Sequence, residues 1–215
     1  MSLHVPLTVH GFTIDVHVFV DEPGSEEKAR DLAPFLERMP RSHVESGLTR
    51  FAIFVIREQP ALGAGGATYL PGRVDDAFRG KFGITGVADT DLDLVRDPER
   101  GVLGIPLDRW QRPLSSLKFT VLHEAGHAVH SSRMSLISTG ASLDDFLGVR
   151  PTCGHGNAVV RRATEAYARY ILGASLCRDA VVGQTTEECN ARVLRHLRAS
   201  PAFRSIPSGW RPGTR

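Results

Sequence analysis

At 215 residues, 41% of them hydrophobic and 23% charged, the chain has the composition of a soluble globular protein and length enough for one good core. A formal net charge of +2, with no dense Lys/Arg run interleaved with aromatics, sets nucleic acid and anionic membranes aside as partners. No stretch has the apolar length of a membrane span, and Met1-Ser2-Leu3-His4-Val5-Pro6 is not an ordinary secretory signal. The default location is cytoplasmic, with non-ordinary secretion left open.

Residues 8–20 alternate apolar and polar through Phe12, Ile14, Val16, Val18 and Val20, which predicts a half-buried strand or hairpin. Pro23-Gly24-Ser25 breaks it. Ser25 is placed to cap a helix that carries Glu26 and Glu27 in its first turn and ends near Pro40. Ala29, Leu32, Phe35 and Leu36 share one face of that helix. Residues 51–56 suit a buried strand. Residues 60–82 are rich in Gly and Pro, but Gly63-Ala64-Gly65-Gly66-Ala67 lacks the Gly-Lys-Ser/Thr ending of a phosphate loop and reads as plain loop. Two further strands are predicted at 91–95 and 102–106, around the turn-like residues 97–101.

A strong helix follows Pro113, with Ser115 or Ser116 as N-cap and Leu117, Val121, Leu122, Ala125 and Val129 as packing surface. Residues 132–148 read as loop with a helical turn near 143–147. Helices at 158–177 and 186–199 precede a tail containing Pro207, Gly209, Pro212 and Gly213. The whole is one α+β domain: residues 1–113 mainly sheet plus one helix, 114–200 helical, 201–215 tail. Cys153, Cys177 and Cys189 form no close metal-binding pair and have no activating context. Cys177 and Cys189 flank a turn between two helices and can be bridged in an exported protein; reduced thiols are the alternative.

The chemistry is concentrated in His123-Glu124-Ala125-Gly126-His127. On a helix, a spacing of four puts both imidazoles on one face, where they can take two positions around one Zn²⁺. Glu124, beside the metal rather than on it, can accept a proton from a water and deliver it to a leaving amine. Gly126 costs the helix about 1 kcal/mol against Ala, which points to a packing or close-approach reason for it. His130 lies on the same side but about 10 Å along the axis from His123, out of reach of the same ion. The metzincin continuation is absent, because His130 and Arg133 stand where Gly and His or Asp are needed.

A catalytic zinc needs a third protein ligand. Glu165, among small alanines in the next long helix, is the leading candidate; Asp144, Asp145 and Asp179 sit in loops or helix ends. The structural alternative is a solvent-facing Glu165 paired with Arg161 and Arg169.

His123-Glu124-x-x-His127 followed by Glu165 resembles the gluzincin clan of zinc metallopeptidases. The 37 residues between His127 and Glu165 exceed the thermolysin pattern and are closer to the lethal-factor-like and Pro-Pro endopeptidase domains. The resemblance covers about residues 50–177. It implies a zincin-like α+β fold: a small mixed sheet packed on the active-site helix, then a helical C-terminal subdomain. It also implies Zn²⁺ as cofactor and a peptide or protein substrate bound in extended form along the sheet edge, for which residues 102–106 are the candidate strand. Those relatives carry a Tyr shortly before the Glu ligand to stabilise the oxyanion. Here Gly154-His155-Gly156-Asn157-Ala158 has none, which leaves His155, or Tyr167 or Tyr170 from the helix, as candidates.

The leading functional expectation is a zinc-dependent endopeptidase with His123, His127 and Glu165 as ligands and Glu124 as general base. The alternatives are a binding or structural module stapled by metal, and an effector or toxin peptidase delivered to another cell.

Overall fold

The alternating segment folds as the second half of a hairpin. β1 (Ser2–Val9) and β2 (Phe12–Phe19) pair antiparallel, with Val9 opposite Phe12. The turn residues His10 and Gly11 both have positive φ, 51° and 86°, as a tight hairpin turn with the right twist requires. The His10 ring bonds the Met39 carbonyl at 2.8 Å and pins that turn to the helical layer. The structure, a computed structural model, describes residues 2–56, 66–72, 99–132, 134–151, 157–207 and 210–212. The strand expected at 91–95, Cys153 and His155 lie outside the described residues.

Among the described residues the sheet has five strands, in the order β1-β2-β3-β5-β4. β3 is Phe51–Ile56, β4 is Ala67–Tyr69 and β5 is Gly101–Pro106. β2, β3 and β5 run parallel, and β1 and β4 flank them antiparallel. All residues of β3 and β5 are buried, as suits strands covered on both faces. β2 is buried from Ile14 onward rather than half-buried, because β3 pairs on its free side. Residues 102–106 do form a strand, but it is interior, between β3 and β4. Among the described residues the edge falls to β4, in a stretch that the sequence presents as Gly-rich loop.

α1 (Ser25–Arg30) and α2 (Ala33–Leu36) replace the single helix expected to run to Pro40. Pro34, in the first turn of α2, has no N–H to continue the ladder and crowds the preceding turn. The apolar face survives the break: Ala29, Leu32 and Leu36 are buried. Ser25 is the first residue of α1 rather than its cap, and its hydroxyl accepts from Trp110 Nε1 at 2.9 Å. α3 (Arg41–Ser46), too short to show a period, and α4 (Leu107–Trp110) connect the sheet to the helical layer.

α5 (Leu114–Ser131) carries the His-Glu motif. Pro113 occupies its N-cap with no side-chain cap bond, so neither Ser115 nor Ser116 plays that part. Leu117, Val121, Leu122, Ala125 and Val129 enter the core as their spacing predicts. A 3₁₀ turn at Asp144–Phe146 interrupts the following loop. α6 (Ala158–Ile171) is capped by Asn157, whose side chain accepts from Val159 and Val160 N–H. It stops short of residue 177 because Gly173, at φ 67°, turns the chain in a Schellman arrangement: Ala174 N–H donates to Arg169 O and Gly173 N–H to Tyr170 O. α7 (Thr186–Ala199) opens on a Thr185/Glu188 capping box, and α8 (Pro201–Arg204) follows. A Cys177–Cys189 disulfide ties the α6–α7 connection to the start of α7. Among the described residues, no helix is long and apolar enough to cross a membrane.

Candidate active site

α5 and α6 pack through small residues. A methyl group on Gly126 would lie 3.0 Å from Tyr167 Cδ1 and 3.4 Å from Thr164 Cβ, so the glycine is the notch that admits α6. Ala163, Ala166 and Ala168 are buried on the facing helix. This close approach sets polar groups opposite one another. His123 and Glu124 are each 2% exposed and Glu165 is fully buried. Glu165 is therefore not a solvent-facing residue, although it keeps one helical partner: Arg169 Nε donates to its Oε1 at 3.0 Å. Its other oxygen, Oε2, lies 3.4 Å from His123 Nδ1.

The rings of His123 and His127 are 5.0 Å apart, one turn of α5 between them. Two ligands on one tetrahedral Zn²⁺, each bonded at about 2.1 Å, are about 3.4 Å apart. His123 Nδ1 and Glu165 Oε2 have that separation. His127 Nε2 lies 3.4 Å from Thr164 Oγ1. Among the described residues no three His, Cys, Asp or Glu side chains gather as a metal-binding group. The donor set of two imidazoles and one carboxylate nonetheless has the chemistry of a zinc site, and His123 and Glu165 already face each other across the helix pair.

Glu124 lines the same cavity as His123 and reaches β4 of the sheet. Thr68 on β4 donates to Glu124 Oε2 at 2.7 Å. The backbone of Gly66 comes so close that a Cβ there would sit 2.5 Å from Glu124 Oε1. Gly66 thus needs to be glycine for approach, not for flexibility. Burial, with the Glu124 charge adding to it, pushes the Tyr69 hydroxyl well above the usual range for a phenol. Gly66, Thr68 and Tyr69 all come from the stretch that reads as plain loop, and the paired glycines were its only sequence signal.

The chain matches no family model, no curated protein and no solved structure. The gluzincin resemblance rests on the residues themselves.

The other residues singled out by sequence are placed as follows. Tyr167 is fully buried, and its hydroxyl lies 3.0 Å from His43 Nδ1. His43 Nε2 lies 2.9 Å from the Ala202 carbonyl, which can only accept, so Nε2 carries the proton and the Tyr167 O–H donates to Nδ1. Burial lowers the His43 pKa to about 4. Tyr170 packs against Phe203 and Trp210. Both tyrosines are thus engaged in the C-terminal core. His130, set aside on reach, receives the Leu136 N–H on its Nδ1 at 3.3 Å and anchors the loop after α5.

Proposed function

We propose that this protein is a zinc-dependent endopeptidase with a zincin-like fold, in which His123, His127 and Glu165 hold the metal and Glu124 is the general base. The observation that carries the reading is the approach of Glu165, delivered by a separate helix, to 3.4 Å from His123 in a buried setting. Buried carboxylates and imidazoles are costly, and a metal ion is a partner that offsets the cost.

A zinc ion bound there supplies Lewis-acid polarisation of the scissile carbonyl and brings the pKa of a water to about 7. Glu124 takes a proton from that water and hands it to the leaving amine. Thr68 holds one oxygen of the Glu124 carboxylate by its 2.7 Å hydrogen bond and so directs the group. Arg169 orients Glu165 in the same way from the far side of the ligand set. Among the described residues β4 is the outermost strand beside Glu124, along which an extended peptide could pair. Tyr69, on that strand and within the field of Glu124, takes the place of Tyr167 and Tyr170 as the candidate oxyanion partner.

The test is Glu124→Gln. Hydrolysis of a mixed peptide substrate is expected to disappear while elemental analysis still finds zinc at the wild-type level. Unaltered turnover overturns the mechanism, and tight zinc with neither turnover nor hydroxamate binding points to a structural metal.

A further inference from the structure

The cavity beside Glu124, about 640 Å³, takes its charge from arginine. Arg109, Arg112, Arg150, Arg169 and Arg178 line it, and Glu124 is its one lining carboxylate among the described residues. Of the chain's 26 Lys and Arg, balanced by 24 Asp and Glu overall, five thus converge on one cleft from four segments of sequence.

Their partners differ. Arg169 is committed to Glu165 and to the Ser175 carbonyl. Arg109 and Arg112 share Asp108 at 3.8 and 3.9 Å, the long limit of an ion pair. Arg150 and Arg178 are exposed, and no described carboxylate pairs with either. Yet they do not sit on loose chain. Arg162 holds the Val149 carbonyl at 2.8 Å, next to Arg150. The Arg178 N–H donates to Gly148 O at 2.8 Å, and the neighbouring Cys177 is bridged to Cys189. The Arg178 backbone is thus tied to Gly148, two positions before Arg150.

We infer that this cleft selects peptides carrying Asp or Glu next to the scissile bond, with Arg150 and Arg178 as specificity residues and Arg109 and Arg112 adding to the positive lining. The inference rests on the peptidase reading for the bond cleaved, and on the arginine cluster for what is bound. Guanidinium groups match carboxylates in bidentate geometry, and a concave site lined by one sign of charge concentrates the opposite sign.

Two measurements keep the inference and the peptidase reading apart. Fluorescein-labelled peptides of equal length, alternating Ala with Glu, Gln or Lys, are titrated against the zinc-loaded full chain by anisotropy. The Glu peptide is expected to bind about tenfold or more tighter than the Gln peptide, and the gap to shrink as salt is raised. In Arg150→Glu/Arg178→Glu, and more mildly in Arg150→Gln/Arg178→Gln, that ratio collapses toward one. Equal binding of the Glu and Gln peptides, or a ratio indifferent to both double variants, overturns the inference. Hydrolysis of matched peptide pools supplies the second arm: cleavage of acidic and neutral pools at equal kcat/KM overturns the inference and leaves the peptidase reading intact. Glu-selective binding with no cleavage of any pool removes the peptidase reading and leaves an anion-selecting cleft.

Discussion

The sheet and the α5–α6 interface are both dry, but they are built from opposite materials. β3 and β5 bury only apolar residues, glycine and proline, packed between layers as any mixed sheet would be. The α5–α6 interface buries His123, Thr164 and Glu165 at positions where an ordinary helix pair would place Leu or Ala, and Glu124 is buried beside it against β4. Replacing a whole buried ion pair with packed hydrophobic groups is often neutral or stabilising. The first region is explained by stability; the second asks for another reason, and the proposed metal site with its base offers one.

That contrast can be broken most directly at Glu165. Glu165→Leu is expected to lower zinc affinity by about a hundredfold or more, since a bound ligand is lost where even an outer partner is worth 10–100-fold. Because Glu165→Leu alone would leave Arg169 unpaired, stability is read in Glu165→Leu/Arg169→Leu, whose metal-free melting temperature should hold or rise. A strongly destabilised metal-free double variant shows instead that Glu165 is structural. Thr68→Val is a smaller perturbation, removing the donor to Glu124 without changing shape. It is expected to cut kcat about tenfold with KM nearly unchanged; a change in KM alone places Thr68 in substrate binding instead.

A different measurement concerns the core behind the site. His43 is neutral in the fold, with its pKa lowered to about 4 from 6.5, so the unfolded chain binds the extra proton first. Its contribution is complete above pH ~6.5 and is lost as pH falls toward the folded value, on the order of 3 kcal/mol in all. Denaturation of EDTA-treated protein between pH 7 and pH 4 should show this decline, and His43→Gln should lack that part of it. Parallel declines in both proteins sink the assignment.

Much of this was legible because periodicity reports burial. The hairpin, the motif helix and the helix bearing Glu165 each follow from spacing alone. Strand order was not legible, since nothing local in residues 102–106 distinguishes an interior strand from an edge. The edge itself, Ala67–Tyr69, was hidden in a run of glycines whose role at Gly66 is contact with a carboxylate 58 positions later. The arginine-lined cleft was invisible for the same reason: its members are dispersed, and only folding gathers them. Pro34 and Gly173, by contrast, were readable breaks that the apolar pattern overrode.

Gly126 has a consequence beyond allowing two helices to touch. With its single hydrogen against Tyr167, it works as a caliper whose jaws are α5 and α6, and the opening it sets is also the distance between His123 and Glu165. Ligand lengths at a metal tolerate only about 0.2 Å of error. A methyl group added at this point in the core would widen the jaws by a comparable amount. At the proposed zinc site, the fit to the ion would then be gauged by core volume, at a residue that never meets the metal.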